Sequence, residues 1–284
     1  MKFTPKMKIF KSTIKKTIFL LKSIFLLDKL KQREQNGEIE RFTHLKFISK
    51  TKLKVPFSLG RSSNGYSFNK KEIKDPIYKI FYEASKKEDL EVIRDSLYEK
   101  FKKESNLTAA DILGLKSNTK LKKYPAWSYV LPWADQDIEI KYKTYENIQK
   151  INRKRKSLDY NFKHLANNNQ YIYSIEMADS QVNQSIRLLD SISRNGFKSE
   201  LGLPSFYILV KDKEWRWFMS QGNHRAYILY LLNYKFIDGT IDSVIYKKKS
   251  HLWPNVKNGL FKIEEAELVF DYLFEAKSPV GPLV

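Results

Sequence analysis

Two strongly β-forming runs, Phe206-Tyr207-Ile208-Leu209-Val210 and Trp215-Arg216-Trp217-Phe218-Met219, are separated only by Lys211-Asp212-Lys213-Glu214. So short a polar connection restricts the two runs to an antiparallel hairpin. Immediately after it come Ser220-Gln221-Gly222-Asn223-His224-Arg225 and then Ala226, Ile228, Leu229, Leu231 and Leu232 at helical spacing. A strand therefore feeds a helix across a single glycine. A further run, Ile241 to Tyr246, reads as a closing strand. Upstream, Tyr171 to Ile175 alternates as a short strand, and Gln184 to Arg194 places Ile186, Leu188, Leu189 and Ile192 at helical spacing before the stop signal Asn195-Gly196.

A strand that runs into a helix has a chemical consequence. The first amides of the helix have no partner inside it, and the peptide dipoles make that end positive. Gly222 lets a guest approach the backbone, Arg225 adds a planar fork matched to phosphate, and His224 is a donor or proton shuttle. An arginine in the first turn opposes the local dipole, which an anion explains and simple capping does not. The plainer alternative is that Asn223 and His224 only cap the helix while Arg225 pairs with Asp212 or Glu214. Gln221 through Arg225 are thus the candidate phosphate ligands.

The phrase Asp190-Ser191-Ile192-Ser193-Arg194-Asn195-Gly196-Phe197, followed after two strands by Gly222-Asn223-His224-Arg225, resembles the ParB/sulfiredoxin-like superfamily over about residues 170–247. The resemblance implies a small mixed-sheet α/β (α+β) domain that holds a nucleotide phosphate through the signature glycine and arginine, with CTP or ATP and Mg²⁺ as candidate cofactors. Asn223 stands where sulfiredoxins carry a catalytic cysteine, and the chain has no cysteine at all. The stretch after residue 247 is short for helix-turn-helix and dimerisation regions, so a sliding DNA clamp is not expected. Some relatives phosphorylate free serine with an early glutamate and an acid before the signature glycine. Glu176 sits in a place suited to that glutamate, whereas Gln221 replaces the acid.

The rest of the chain is basic. The sequence carries 52 Lys and Arg against 32 Asp and Glu, a formal charge of +20, which favours polyanions such as nucleotides, nucleic acid or an anionic membrane surface. Residues 1–36 read as an amphipathic helix with Lys8, Lys15, Lys22 and Lys29 on one stripe. Residues 8–30 suit either the membrane interface or docking onto the protein body, and no uncharged run reaches the roughly 18 residues of a membrane span. Residues 37–168 read as mainly helical, with helices over 76–104 broken near Lys87 or Asp89 and a short capped turn at Asn106 to Asp111. Leu59 to Gly65 reads as a surface loop, and Asn152 to Lys156 as a solvated charge run.

The Pro125–Asp135 segment, with Trp127 and Trp133, is a rigid extended strap packed over a C-terminal domain at 169–284 or, alternatively, an aromatic wall with Asp135, Asp137 and Glu139 at its rim. In the tail, Trp253 and Asn255 are candidate base or lid residues, with core packing as the alternative for Trp253. The leading expectation is a cytoplasmic nucleotide- or phosphate-binding protein, a phosphotransferase or nucleotide hydrolase with Glu176 and His224 as catalytic candidates. The alternatives are a nucleic-acid-binding protein or nuclease, and a membrane-peripheral adaptor that senses a ligand.

Overall fold

The structure is a computed structural model that describes residues 45–46, 52–70, 74–86, 89–144 and 175–277. The chain divides into two compact units, residues 1–45 and 46–284. The basic helix expected at 8–30, the charge run at 152–156 and residues 171–174 lie outside the described residues. Among the described residues no helix is long and apolar enough to cross a membrane.

The larger unit is mixed α/β. After a two-residue strand β1 (Leu45–Lys46), strands β2 (Lys52–Pro56), β3 (Gly60–Arg61), β4 (Ser205–Lys211), β5 (Glu214–Gln221) and β6 (Phe236–Tyr246) associate in the order β2–β6–β4–β5–β3. The expected hairpin is present, β4 against β5 and antiparallel, closed by Asp212 at φ 53°, a left-handed conformation that aspartate tolerates. β6 lies parallel to β4, β3 parallel to β5, and β2 antiparallel to β6. The sheet thus draws strands from both sides of residue 169, and the 37–168 segment, read as mainly helical, supplies β2 and β3 among them. β6 also begins at Phe236, five residues before the run that signalled it, and includes Gly239. A Cβ at that glycine would lie 2.2 Å from the Phe206 ring, so the bare backbone there admits the aromatic.

One helical layer consists of α1 (Pro76–Ser85), α2 (Leu90–Ser105) and α4 (Ile175–Asn195), joined through Ile80, Ile93, Leu97, Phe101, Ala178 and Val182. Asp75 and Asp89 cap α1 and α2, accepting from amides of their first turns. Between α2 and the strap, Thr108 and Asp111 form a reciprocal capping box on the one-turn helix α3 (Ala109–Ile112). The strand expected through Ile175 is corrected: Ile175 begins α4, which starts well before Gln184. Ala178, Val182, Leu189 and Ile192 are buried at helical spacing, and that longer period outweighs a five-residue alternation. α4 ends at Gly196 (φ 72°), as its sequence indicates.

The second core gathers Leu209, Phe218 and Ile245 from the sheet with Val130 and Trp133 of the strap and Trp253, Phe261 and Phe270 of the tail. The strap is packed as expected but not extended throughout: it turns as a short 3-10 helix at Ala126–Ser128 and again at Pro132–Trp133, where the Ala134 amide donates to the Leu131 carbonyl at 3.0 Å. The tail continues through α6 (Pro254–Lys257) and α7 (Ile263–Glu275), after α5 (Asn223–Leu231), which follows the hairpin.

Candidate phosphate-binding site

Gly222 turns the chain from β5 into α5 with φ 89°, in the left-handed region that glycine enters without a Cβ penalty. A Cβ there would also lie 3.0 Å from Cα and Cβ of Pro204, so the position requires glycine twice over. The N-cap position of α5 is Gly222, which has no side chain to cap it, and the first turn of the helix contains no acid. The positive end of the helix is therefore not offset by an acid of its own first turn. Gln221 is exposed, while Gly222, Asn223, His224 and Arg225 are half-buried, so this end is neither sealed in the core nor projecting from it.

The Arg225 guanidinium donates from Nη1 to the Gly202 carbonyl at 2.6 Å, which holds the fork beside the start of the helix. Glu214, considered from sequence as its partner, meets Arg216 at 3.0 Å. Asn223 is oriented by Ser63: its Oδ1 accepts from the Ser63 amide at 3.1 Å and its Nδ2 donates to the Ser63 hydroxyl. The segment Leu59 to Gly65, read as a surface loop, is thereby placed against α5. That is a correction with a clear cause. Ser62 and Asn64 both donate to the buried Asp75, which also accepts 2.5 Å from the Tyr227 hydroxyl in α5. One carboxylate thus ties the loop, α1 and α5 together.

His224 packs edge-on against Phe81, ring centroids 5.5 Å apart. Burial pushes its pKa below the ordinary histidine value, against an opposing pull from Asp75. At neutral pH it is an uncharged imidazole, able to donate or accept but not to add charge to a phosphate site. Glu176 lies in the first turn of α4.

The two tail candidates are not at this site. Trp253 is 0% exposed, stacked on Phe270 at 5.8 Å and edge-on to Trp133 at 5.3 Å. Asn255, 1% exposed, donates to the carbonyls of Leu131, Ala134 and Gln136. Both hold the strap to the tail, so the base or lid role is corrected to a core role. Of the strap carboxylates, Asp137 accepts from the Glu139 amide, and Glu139 from the Tyr124 hydroxyl. Among the described residues no three His, Asp or Glu side chains gather into a metal-binding group.

Sequence reasoning missed a chain of contacts leading into the site. Lys141 donates to the Tyr129 carbonyl and lies 4.5 Å over the Tyr129 ring, and burial lowers its pKa to about 8. The Tyr129 hydroxyl reaches the Ser63 carbonyl at 3.5 Å. No local pattern announces this path, because each step joins residues far apart in sequence. Arg61 is a second buried cation, but its Nε and Nη2 donate to the Phe274 carbonyl at 3.0 and 2.7 Å. It satisfies the carboxyl end of α7 and is structural. Burial, followed by repulsion from Arg216, lowers its pKa to about 10, which leaves it cationic at neutral pH.

The class that fold and site define is a mixed α/β unit with a mixed parallel and antiparallel sheet and a helix that starts from a glycine beside an anchored arginine. Compared with family models, curated proteins and solved structures, the chain matches none.

Proposed function

We propose that residues 46–284 bind a phosphate-bearing ligand at the start of α5, as a nucleotide- or phosphate-binding protein of the ParB/sulfiredoxin-like kind. The ligand is a nucleotide such as CTP or ATP, with or without Mg²⁺, or a phosphorylated small molecule. One observation carries the reading: an acid-free first turn opens from a left-handed glycine, with Arg225 anchored alongside by the Gly202 carbonyl. Backbone amides and an aligned dipole favour an anion there, and the guanidinium supplies the charge-assisted contact. The same contacts would stabilise charge building up on a transferring phosphoryl group, so a phosphotransferase or nucleotide hydrolase is the enzymatic form of the proposal, with Glu176 as its base.

Calorimetry with CTP, ATP and ADP, with and without Mg²⁺, tests it. Binding of at least one ligand is expected, with Arg225→Ala weakening it about tenfold or more. No binding to any of them by the folded chain would overturn the proposal. The net charge of +20 favours nucleic acid as the competing partner. That reading predicts an affinity that falls steeply with salt and is insensitive to Arg225→Ala.

A further inference from the structure

Two irregularities of the sheet meet beside the start of α5. On one side of β4, Ser205 pairs with Gln221 but Phe206 pairs with Met219, so Ser220 is an extra residue in β5. On the other side Phe206 pairs with Ile241 but Tyr207 with Ser243, so Asp242 is an extra residue in β6. Each is a β-bulge, a device that bends a strand and re-aims a side chain. Here the two bulges flank the same end of the central strand, and their side chains meet over Ser205. Its hydroxyl lies 2.8 Å from the Ser220 hydroxyl and donates to Asp242 Oδ2 at 2.8 Å, and the Ser220 hydroxyl also donates to that oxygen.

The chemistry of this triangle is lopsided. Three oxygen–oxygen contacts share only two hydroxyl hydrogens, so with Asp242 ionised the cluster is one donor short. Both serines approach Oδ2, and among the described residues Oδ1 accepts from nothing. Nor does any described lysine or arginine pair with Asp242, although the chain carries 52 of them, and the carboxylate is only half-buried. Ser220 lies two residues before Gly222, within about 7 Å along the backbone.

We infer that Asp242, presented by the paired bulges and steadied by Ser205 and Ser220, accepts a hydrogen bond from a hydroxyl group of the same ligand whose phosphate sits at α5. The inference rests on the phosphate reading and adds the second half of the ligand. A carboxylate repels phosphate and attracts a hydroxyl, while the start of α5 does the reverse, so the two ends fix which way round the ligand lies. The ligand class is a phosphorylated polyol, the polyol being the ribose of a nucleotide or a small alcohol. Asp242 is then a specificity residue in contact with the ligand.

The test measures binding to the full chain by calorimetry in three arms. Inorganic tripolyphosphate reads the phosphate end alone. CTP and ATP against their 2′,3′-dideoxy forms read a ribose hydroxyl, and glycerol phosphate against propyl phosphate reads a small alcohol. In at least one pair the hydroxylated member should bind about tenfold more tightly. Asp242→Asn, which keeps size and shape, should shrink that ratio to about twofold without weakening tripolyphosphate binding, which the loss of a nearby negative charge can only favour. Thermal melting confirms that the variant is folded, and Ser220→Ala serves in its place if it is not. If tripolyphosphate binds but neither pair discriminates, or if discrimination survives in the variant, this inference fails while the phosphate reading stands. If nothing binds, both fail together.

Discussion

Asp75 is 3% exposed and accepts from the Ile77 and Tyr78 backbone amides, the Ser62 hydroxyl, the Asn64 side-chain Nδ2 and the Tyr227 hydroxyl. Removing it uncaps α1 and leaves the buried Tyr227 hydroxyl without its acceptor. Asp75→Ala should cost roughly 3 kcal/mol in urea unfolding. Tyr227→Phe, which deletes only the donor, should cost about 1 kcal/mol, and the double variant less than the sum, because the orphaned hydroxyl is then gone. Strict additivity would show that the pair does not interact. Beside Asp75, His224 has a folded pKa lowered chiefly by burial. The folded state therefore binds fewer protons than the unfolded chain as pH falls through about 6.5, the unfolded histidine value. The His224 contribution is constant above about pH 7, and stability is lost below about 6.5 until pH passes the folded pKa. Urea midpoints at pH 7.5 and 5.5 should differ less in His224→Gln than in the parent protein.

Among the elements, α5 depends most on one backbone conformation. Gly222→Ala adds a Cβ both to a φ of 89° and to a contact of 3.0 Å with Pro204. Gly196 has a similar φ of 72° at the end of α4, yet a Cβ there meets nothing within 4 Å. Gly196→Ala should thus cost about 1 kcal/mol, the left-handed penalty alone, and Gly222→Ala roughly twice that or more. Only the latter should weaken ligand binding, because it displaces the start of α5. Equal costs for the two would deny the Pro204 contact. The strand–strand–helix unit around Gly222 was legible in sequence because everything that forms it is local: alternating runs, a four-residue connection and one glycine. The Asn195-Gly196 stop was readable for the same reason. The joints between that unit and the rest were not. β3 is too short to carry a pattern, β2 alternates lysines with only Leu53 and Val55 and ends at a proline, and Gly60 reveals its purpose only against Trp217, whose ring a Cβ would overlap. The bulges at Ser220 and Asp242 are matters of register, which a single strand does not encode. Trp253 and Asn255 looked available because their loop is polar, whereas their partners lie in a strap more than a hundred residues earlier.

At the scale of the whole larger unit, the strap decides whether its two cores unfold together. Trp127 packs against the α1–α2–α4 cluster and stacks on Tyr142 at 5.0 Å, whereas Trp133, 1% exposed, belongs to the cluster with Trp253 and Phe270. Two tryptophans of one short segment thus enter separate cores, and between them Tyr129 touches the loop that orients Asn223. A segment anchored at both ends cannot detach without loosening both clusters, so urea unfolding followed by fluorescence and by circular dichroism should give one coincident transition. Trp133→Ala should lower stability by about 3–5 kcal/mol through the cavity it leaves. Trp127→Ala, at a half-buried position, should lower it by about 1–2 kcal/mol. The Trp133 indole N–H is buried and has no hydrogen-bond partner among the described residues. Trp133→Phe removes that orphan donor while keeping an aromatic ring, so it should cost well under half of what the alanine costs. Were Trp133→Ala to split the transition in two, the strap would be a cover on one core and not the joint between both.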